Sequence, residues 1–108
     1  MSKIIITGSA MLKPESRDAA IALGAEHSAR SRAEPGCIAH NVHIDAEDAR
    51  RLVFLELWDD LAAVKVHFAV PASGAFVRTL SGMADGPPEM RIFDAKDVTA
   101  VVTAALRG

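Results

Sequence analysis

The side chains that could carry chemistry in this sequence lie mainly between Glu34 and His67. This stretch holds the single Cys, the single Trp and three of the four His residues. His67 is a candidate general base, because imidazoles titrate near neutral pH and can take up and return a proton. Trp58 offers a large apolar ring with one N–H donor, which suits the wall of a pocket or the centre of a core. Together these residue types favour proton transfer at the edge of an apolar pocket.

Each of the polar candidates also has a purely structural interpretation. Glu56 lies on an apolar strand, where a carboxylate must be paired or protonated, and Arg91 is its candidate partner in a structural ion pair. His27 is a candidate pocket residue, although a buried core His with satisfied hydrogen bonds is the simpler interpretation. The same alternative, a role in the core alone, applies to His67 and Trp58.

The composition predicts one globular domain and argues against several functional classes. The chain has 108 residues, 50% apolar and 24% charged, and its net charge of −2 gives no support for nucleic-acid or membrane binding. The lone Cys37 cannot form an internal disulfide, has no basic neighbour in sequence, and is interpreted as a small buried hydrophobe. The spacing of Cys and His predicts no metal site. Because no signal-peptide or membrane-span pattern is present, we expect a cytoplasmic protein.

Hydrophobic periodicity predicts an α+β fold. Alternation of apolar residues indicates the strands, whereas Pro14, Asp59 or Asp60, and Pro71 mark helix starts. The predicted strands cover residues 3–12, 37–45, 51–58 and 89–95, and the predicted helices cover about 14–33, a segment from 61, and about 76–83. This order is that of a ferredoxin-like βαββαβ sandwich with a four-stranded antiparallel sheet. We assign residues 1–97 to this domain and 98–108 to a C-terminal extension, which we expect to be helical.

The hairpin formed by the two middle strands decides which polar side chains meet. A turn that follows Asp45 would pair Asn41 with Phe54. That register predicts one face that carries Cys37, Asn41, His43, Glu56 and Trp58. A slip of one residue would reverse the face of the first strand, because side chains alternate along a strand.

The opposite face of the predicted sheet is also apolar. Val53, Leu55 and Leu57 lie on it, so this strand needs cover on both sides. A single domain of this length rarely supplies two covering layers, which makes a partner subunit the expected cover. We therefore predict a homodimer in which two sheets pack face to face.

Three predicted helices would cover the pocket face of the sheet. The first directs His27 toward the sheet from a stripe of small residues, and the second carries His67 at the edge of its apolar stripe. The apolar stripes are Leu61, Val64 and Phe68 in the second helix, and Phe76, Leu80 and Met83 in the third. The predicted pocket wall consists of Phe54, Trp58, Phe68, Phe76 and Met83.

Four short phrases stand in a fixed order between residues 34 and 76. They are Glu34-Pro35-Gly36-Cys37, Val42-His43 with Asp45 and Asp48, Phe54-Leu55-Glu56-Leu57-Trp58, and His67-Phe68 with Pro71 and Phe76. In this order the chain resembles the antibiotic biosynthesis monooxygenase (ABM) domain family, from Ile4 to about Ala95. The resemblance implies ferredoxin-like chains that dimerise sheet to sheet as an α+β barrel. It also implies oxygenation of phenols, quinols or anthrones without a metal, flavin or other prosthetic group, in a pocket between sheet and helices.

The sequence also departs from what this resemblance implies. Haem-degrading members use an Asn on the first strand with a Trp and a His; Trp58 and His67 resemble the last two, but the first strand has no Asn. Haem degradation is therefore the less favoured alternative. Ala72 and Ser73 stand where many members have His and Phe, and Tyr is absent. These differences favour a second alternative, a non-catalytic dimeric domain that binds a small hydrophobic ligand.

The sequence and the resemblance together predict a cofactor-independent monooxygenase that acts on a reduced aromatic of the quinol, phenol or anthrone type. The predicted catalytic residues are His67 and Trp58, and no cofactor or metal is expected. The predicted substrate-binding residues are His27, Asn41, His43, Phe54, Glu56, Phe68, Phe76 and Met83. The expected partners are a second copy of the chain and a small hydrophobic or aromatic ligand, with neither nucleic acid nor membrane.

Overall fold

The chain folds in the predicted order of strands and helices. The computed structural model describes residues 2–107. Residue 1 of the predicted domain and residue 108 of the predicted C-terminal extension lie outside the described residues. The elements are β1 (Lys3–Met11), a 3-10 turn (Pro14–Ser16), α1 (Arg17–Ser31), β2 (Cys37–Asp45), β3 (Asp48–Trp58), α2 (Leu61–Ala69), α3 (Pro71–Met83), β4 (Glu89–Ala95) and α4 (Thr99–Arg107). The α+β class and the helical C-terminal segment are confirmed.

The sheet has one face covered by helices and one open face. Its strand order is β2-β3-β1-β4, and all neighbouring strands are antiparallel. Alternate residues of β1 and β3 point to the helices and are buried: Ile4, Ile6, Leu52, Phe54, Glu56 and Trp58. Two hydrophobic clusters fill this layer, one around Phe54 and Phe76 and the other around Ile6 and Trp58. The candidate polar residues lie where the two clusters meet.

The ladder between β2 and β3 contains a bulge that the predicted register lacked. The register shifts between Cys37 and Ala39, so that one strand carries an extra residue. Beyond the bulge, Asn41 pairs with Leu55 and not with Phe54 as predicted. Because the side-chain period of a strand is two, this single residue exchanges the two faces of most of β2.

The bulge turns His40 toward the helices and two predicted site residues away from them. His40 is fully buried and pairs across the ladder with Glu56. Asn41 and His43 are exposed on the open face of the sheet. Their predicted placement beside Trp58 is therefore wrong.

The buried face of α2 also differs from the predicted one. Val64 and His67 are each 2% exposed, whereas Leu61 is 49% and Phe68 39% exposed. The helix lies across Trp58, and residues three apart on a helix share a face, so Val64 and His67 form the row that contacts the indole. His67 thus lies at the centre of this face, not at its edge, and the predicted stripe is wrong at both ends.

The turn between α1 and β2 requires a glycine at position 36. Gly36 has a φ of 82°, in the left-handed region that favours glycine. A Cβ atom at this position would lie only 2.5 Å from the Cβ atom of Ala63 in α2. Gly36 therefore lets α2 pack directly against the turn that carries Glu34.

Replacement of this glycine should destabilise the fold. We expect Gly36→Ala to lower the free energy of unfolding by about 2 kcal/mol or more, because left-handed strain adds to a clash with α2. Urea denaturation measures the loss. The matched control is Gly82→Ala in α3, where an added Cβ has no neighbour within 4 Å and helix propensity improves. A similar loss in both variants would contradict the role assigned to the turn.

Apolar side chains remain exposed on the open face of the sheet and on α4. Leu55 and Phe93 on the sheet are 49% and 46% exposed, and Val101 and Leu106 on α4 are 72% and 82% exposed. Within residues 2–107, no helix has the length and apolar character needed to cross a lipid bilayer.

Candidate functional site

A cavity of about 480 Å³ lies between the sheet and helices α1, α2 and α3. Most of its wall is apolar and includes Phe54, Phe68, Phe76, Val77 and Leu80. His27, Glu56 and His67 form its polar end. Ser73 also lines the cavity, and its buried hydroxyl has no hydrogen-bond partner. An apolar cavity with a few convergent polar groups is typical of small-molecule sites.

Three histidines from three different elements meet at this polar end. His27 of α1, His40 of β2 and His67 of α2 are 5%, 0% and 2% exposed. Their ring centres are 5.1 Å (His27 to His40), 5.5 Å (His27 to His67) and 5.6 Å (His40 to His67) apart. The predicted register directed His40 to the opposite face, so only the bulge in β2 reveals this residue as part of the cluster.

His67 has a fixed orientation because a carboxylate holds one of its ring nitrogens. Nδ1 of His67 lies 2.9 Å from Oε1 of Glu34. A carboxylate oxygen accepts hydrogen bonds, so Nδ1 of His67 is the donor of this pair, and the lone pair of a neutral imidazole is then on Nε2. Glu34 was not a predicted site residue, and it entered the sequence analysis only within the phrase Glu34-Pro35-Gly36-Cys37. The structure therefore adds a Glu–His pair to the candidate site.

Glu56 lies in the middle of the cluster. Its Oε1 accepts a hydrogen bond of 3.0 Å from Nε1–H of Trp58 and lies 3.3 Å from Nε2 of His40 and 4.0 Å from Nε2 of His67. Burial raises the pKa of Glu56, while the hydrogen bond from Trp58 and the nearby His67 ring oppose this rise. The 3.3 Å approach does not have hydrogen-bond geometry, which leaves Nε2 of His40 buried without a partner.

The predicted pairing of Glu56 with Arg91 is wrong. Glu56 pairs across the sheet with Ile6, and Ile6 pairs with Ile92. Arg91 is the next residue along β4, so its side chain lies on the open face while Glu56 points to the helices. Glu56 is stabilised instead by the Trp58 indole on its own strand.

His27 and His40 have neighbours that favour their neutral forms. Burial, with Arg30 and His67 nearby, lowers the pKa of His27 to about 4. Burial, with His27, His67, Arg32 and Arg30 nearby, lowers the pKa of His40 to about 3. Nδ1 of His40 lies 2.8 Å from the Ser28 hydroxyl, and Nδ1 of His27 accepts from Nη2 of Arg30 at 2.6 Å. The site therefore holds two uncharged imidazoles at neutral pH.

These shifts predict how stability depends on pH. The unfolded chain has histidines of ordinary pKa 6.5, whereas the folded values are about 4 for His27 and about 3 for His40. Between these values the unfolded chain binds more protons, so stability is complete above pH 6.5 and is lost as the pH falls toward 4. Glu56 acts in the opposite sense, because its folded pKa is raised.

Urea denaturation of chelator-treated protein from pH 7.5 to 4.5 measures this dependence. We expect a steep fall in unfolding free energy, up to about 1.4 kcal/mol per pH unit for each histidine. His40→Gln should flatten the profile, whereas His43→Gln on the open face should preserve it. A flat wild-type profile would contradict the prediction.

Trp58 and Met83 support the site from behind the cavity wall. Trp58 is fully buried, and its ring centre lies 4.6 Å from that of His67. It packs with Ile4, Ile6 and Val64 and is not among the residues that line the cavity. Met83 packs on the cluster around Phe54 and Phe76 and also does not reach the cavity. The prediction that both residues form pocket wall is wrong, because Trp58 packs beneath the His67 ring and Met83 packs on the core cluster.

Comparison with known proteins assigns this chain to a family. The sequence profile of the family described as antibiotic biosynthesis monooxygenase matches residues 3–79. The chain belongs to the antibiotic biosynthesis monooxygenase family. The uncharacterised protein sll1783 of Synechocystis sp. is 31% identical over 90 residues, which are 83% of this chain and 61% of that protein. This chain thus spans about three fifths of the length of that relative.

Solved structures of similar chains share the ABM fold. A conserved protein from Methanosarcina mazei Go1 is 25% identical with a TM-score of 0.84, over 89% of this chain and 95% of that chain. A crystal structure of an antibiotic biosynthesis monooxygenase is 26% identical with a TM-score of 0.79, over 87% and 99%. Rv0793 from Mycobacterium tuberculosis is 22% identical with a TM-score of 0.82, over 89% and 97%, and shows likeness of fold.

In this ABM chain the predicted site residues fall into three groups. Those that line the cavity are His27, Phe54, Glu56, His67, Phe68 and Phe76. Trp58 and Met83 lie behind it, and Asn41 and His43 lie on the far side of the sheet. Glu34 and His40 join the group at the polar end, although the sequence did not indicate either.

Proposed function

We propose that the protein is a cofactor-independent monooxygenase of a reduced aromatic substrate, of the quinol, phenol or anthrone type. The observation that carries the proposal is the Glu34–His67 pair at the end of a largely apolar cavity of about 480 Å³. His67 lines this cavity, and because Nδ1 is bound to Glu34, Nε2 is the ring nitrogen left for a substrate. A base held in this way at an apolar site suits removal of a weakly acidic proton.

The proposed reaction needs only the substrate, O₂ and a proton carrier. With an anthrone, Nε2 of His67 removes a proton from the ring methylene, at a reach of about 3 Å. The substrate anion transfers an electron to O₂, and the radical pair combines to a peroxide anion that recovers the proton from His67. Loss of water from this hydroperoxide leaves a carbonyl group. One oxygen atom enters the product, the other leaves as water, and the substrate supplies all the electrons.

Glu34 is the positioning residue in this proposal. Its carboxylate keeps the proton on Nδ1 of His67, so that Nε2 faces the substrate as the base. It also stabilises the imidazolium that forms when the substrate proton is taken up. His27 stacks on Phe76 with ring centres 3.9 Å apart, which gives the cavity a flat wall for an aromatic ring.

Oxygen uptake by the 108-residue chain in chelating buffer tests the proposed function. A panel of quinols and anthrones should include at least one substrate whose uptake exceeds its autoxidation rate, and ¹⁸O₂ should place one labelled atom in the product. His43→Ala, on the far side of the sheet, should leave the rate unchanged. No uptake above autoxidation with the whole panel would contradict the proposal. A rise in melting temperature with these ligands and no uptake would favour the binding-domain alternative instead.

We further propose that two chains associate through the open faces of their sheets. Val53, Leu55 and Leu57 lie on this face with Phe93, and Leu55 is 49% exposed. Burial of such a face stabilises an assembly by about 25 cal/mol per Å² before the cost of association. Sedimentation equilibrium at micromolar concentration should therefore detect a dimer.

Two substitutions separate this interface from apolar exposure in general. Leu55→Lys should shift the protein toward monomer, because it introduces an unpaired charge at the centre of the face. Val66→Lys, on the 58% exposed outer side of α2, should leave the dimer intact. A folded wild-type monomer, or equal effects of the two variants, would contradict the proposed interface.

A further inference from the structure

We propose that His27, His40 and His67, with Glu56, form a binding site for a divalent transition-metal ion of the Zn²⁺ type. This inference does not rest on the proposed oxygenation. Nε2 of His67 cannot hold an ion and accept a proton at once, so a bound ion would inhibit the cofactor-independent reaction.

The spacing of the three rings suits a tetrahedral site. In a tetrahedral zinc site with Zn–N of about 2.0–2.1 Å, imidazole centres are about 5.2 Å apart and ligand nitrogens about 3.4 Å apart. The ring centres here are 5.1, 5.5 and 5.6 Å apart, so they already form the required triangle. The candidate ligand atoms lie within 4.8 Å of one another. The proposed site therefore requires rotation of the rings about centres that are already in place.

Two of the three histidines have the outer hydrogen bonds that metal ligands use. A ligating His usually donates its second N–H to a carboxylate or another acceptor, which fixes the ring. Nδ1 of His67 donates to Glu34, and Nδ1 of His40 lies 2.8 Å from the Ser28 hydroxyl. Nε2 is available in both rings when Nδ1 is the donor, and Nε2 of His40 is a buried atom without a hydrogen-bond partner. A metal ion would satisfy this atom.

Glu56 supplies the fourth ligand and part of the charge balance. Its Oε1 lies 3.3 Å from Nε2 of His40 and 4.0 Å from Nε2 of His67, close to the separation of two ligands on one ion. Together with Glu34, Glu56 offsets the charge of a divalent ion in this buried place. Imidazole ligands suit Zn²⁺, Ni²⁺, Cu²⁺ and Fe²⁺ better than Mg²⁺ or Ca²⁺. The cavity lined by His27, Glu56 and His67 gives the ion an access route.

Arg30 competes with the ion for His27. Its Nη2 donates to Nδ1 of His27. In the neutral ring the proton is then on Nε2, and a protonated Nε2 cannot bind a metal ion. The guanidinium must therefore leave before all three histidines can bind an ion. Arg30 is only partly buried, and its Nε has no hydrogen-bond partner, so this rearrangement loses one hydrogen bond. Removal of Arg30 should consequently tighten metal binding.

Titration of the chelator-treated 108-residue chain with Zn²⁺ and Co²⁺ tests the site. Calorimetry should give one ion per chain, and bound Co²⁺ should show the intense visible absorption of four-coordinate cobalt. His40→Gln should weaken binding at least 100-fold. His43→Gln removes the one histidine outside the cluster and should have no effect. Absence of binding at 100 µM Zn²⁺, or equal losses in the two variants, would overturn the proposal.

Two further substitutions keep the proposal testable if His40→Gln fails to fold. Glu34→Gln should weaken Zn²⁺ binding by about 10- to 100-fold, as loss of an outer hydrogen bond does elsewhere. Arg30→Met should strengthen it, and unchanged affinity in both variants would overturn the proposal. Because these measurements use no substrate and the oxygen-uptake assay uses chelator, failure of either proposal leaves the other one standing.

Discussion

His67→Ala is expected to lower turnover of the quinol or anthrone substrate by about 10²- to 10⁴-fold, the usual contribution of a positioned general base. The reason is geometric, since the Glu34 hydrogen bond to Nδ1 and the Trp58 ring 4.6 Å away hold the His67 imidazole at the cavity. Steady-state oxygen uptake measures the loss. The substitution should lower kcat more than it raises KM, because the lost interaction acts on the proton during its transfer and not on the bound substrate ring.

A structural role for His67 predicts a different pattern. Lost packing would lower the melting temperature, and activity would fall only in proportion to the folded fraction. Added imidazole distinguishes the two, because it can enter the space left by the side chain and restore part of the turnover only if a base is missing. Glu34→Gln should also lower kcat, by less than His67→Ala. Full activity of folded His67→Ala would remove the residue from the mechanism.

The order and class of the elements could be predicted because each depends on local signals. β4 and β2 were predicted with their observed bounds, since prolines and turn residues flank alternating segments. The faces of β2 could not be predicted, because they depend on one extra residue between Cys37 and Ala39. A bulge shifts the period of a strand without a marker in composition. Asn41 and His43 were therefore interpreted as site residues, and His40 was not.

The site itself depends on contacts that are remote in sequence. Glu34 and His67 are 33 residues apart, and they meet because Gly36 lets α2 approach the turn before β2. Periodicity indicates which face of a helix is apolar, but not which residues cross the element beneath it. The Trp58 indole under α2 determines that His67 is buried while Phe68 remains half exposed. The local pattern therefore predicts the helix, whereas tertiary packing decides that His67 is buried and Phe68 is not.

The second large effect is expected at Trp58, on stability. Trp58→Ala should lower the free energy of unfolding by about 3–5 kcal/mol, because it opens a cavity in the cluster of Ile4, Ile6 and Val64. Since a domain of this kind has only about 5–15 kcal/mol in total, much of the protein would unfold near its working temperature. Urea denaturation at pH 7.5 measures the loss. A small loss would mean that the cluster collapses around the missing ring.

Trp58→Phe separates packing from the hydrogen bond to Glu56. The variant keeps an aromatic ring and most of the buried area. The Glu56 carboxylate, however, loses its 3.0 Å hydrogen bond from Nε1–H of Trp58. A buried acceptor left unpaired costs about 1–3 kcal/mol, and burial then raises the pKa of Glu56 further. The penalty belongs to the ionised carboxylate, so the difference in unfolding free energy between Trp58→Phe and wild type should shrink as the pH falls and Glu56 becomes protonated.

Glu56→Gln in the same background should recover part of the loss at pH 7.5, because an amide is less costly to bury than a charge. A deficit that stays constant between pH 7.5 and 5, and that Glu56→Gln does not relieve, would mean that the indole acts by its shape alone.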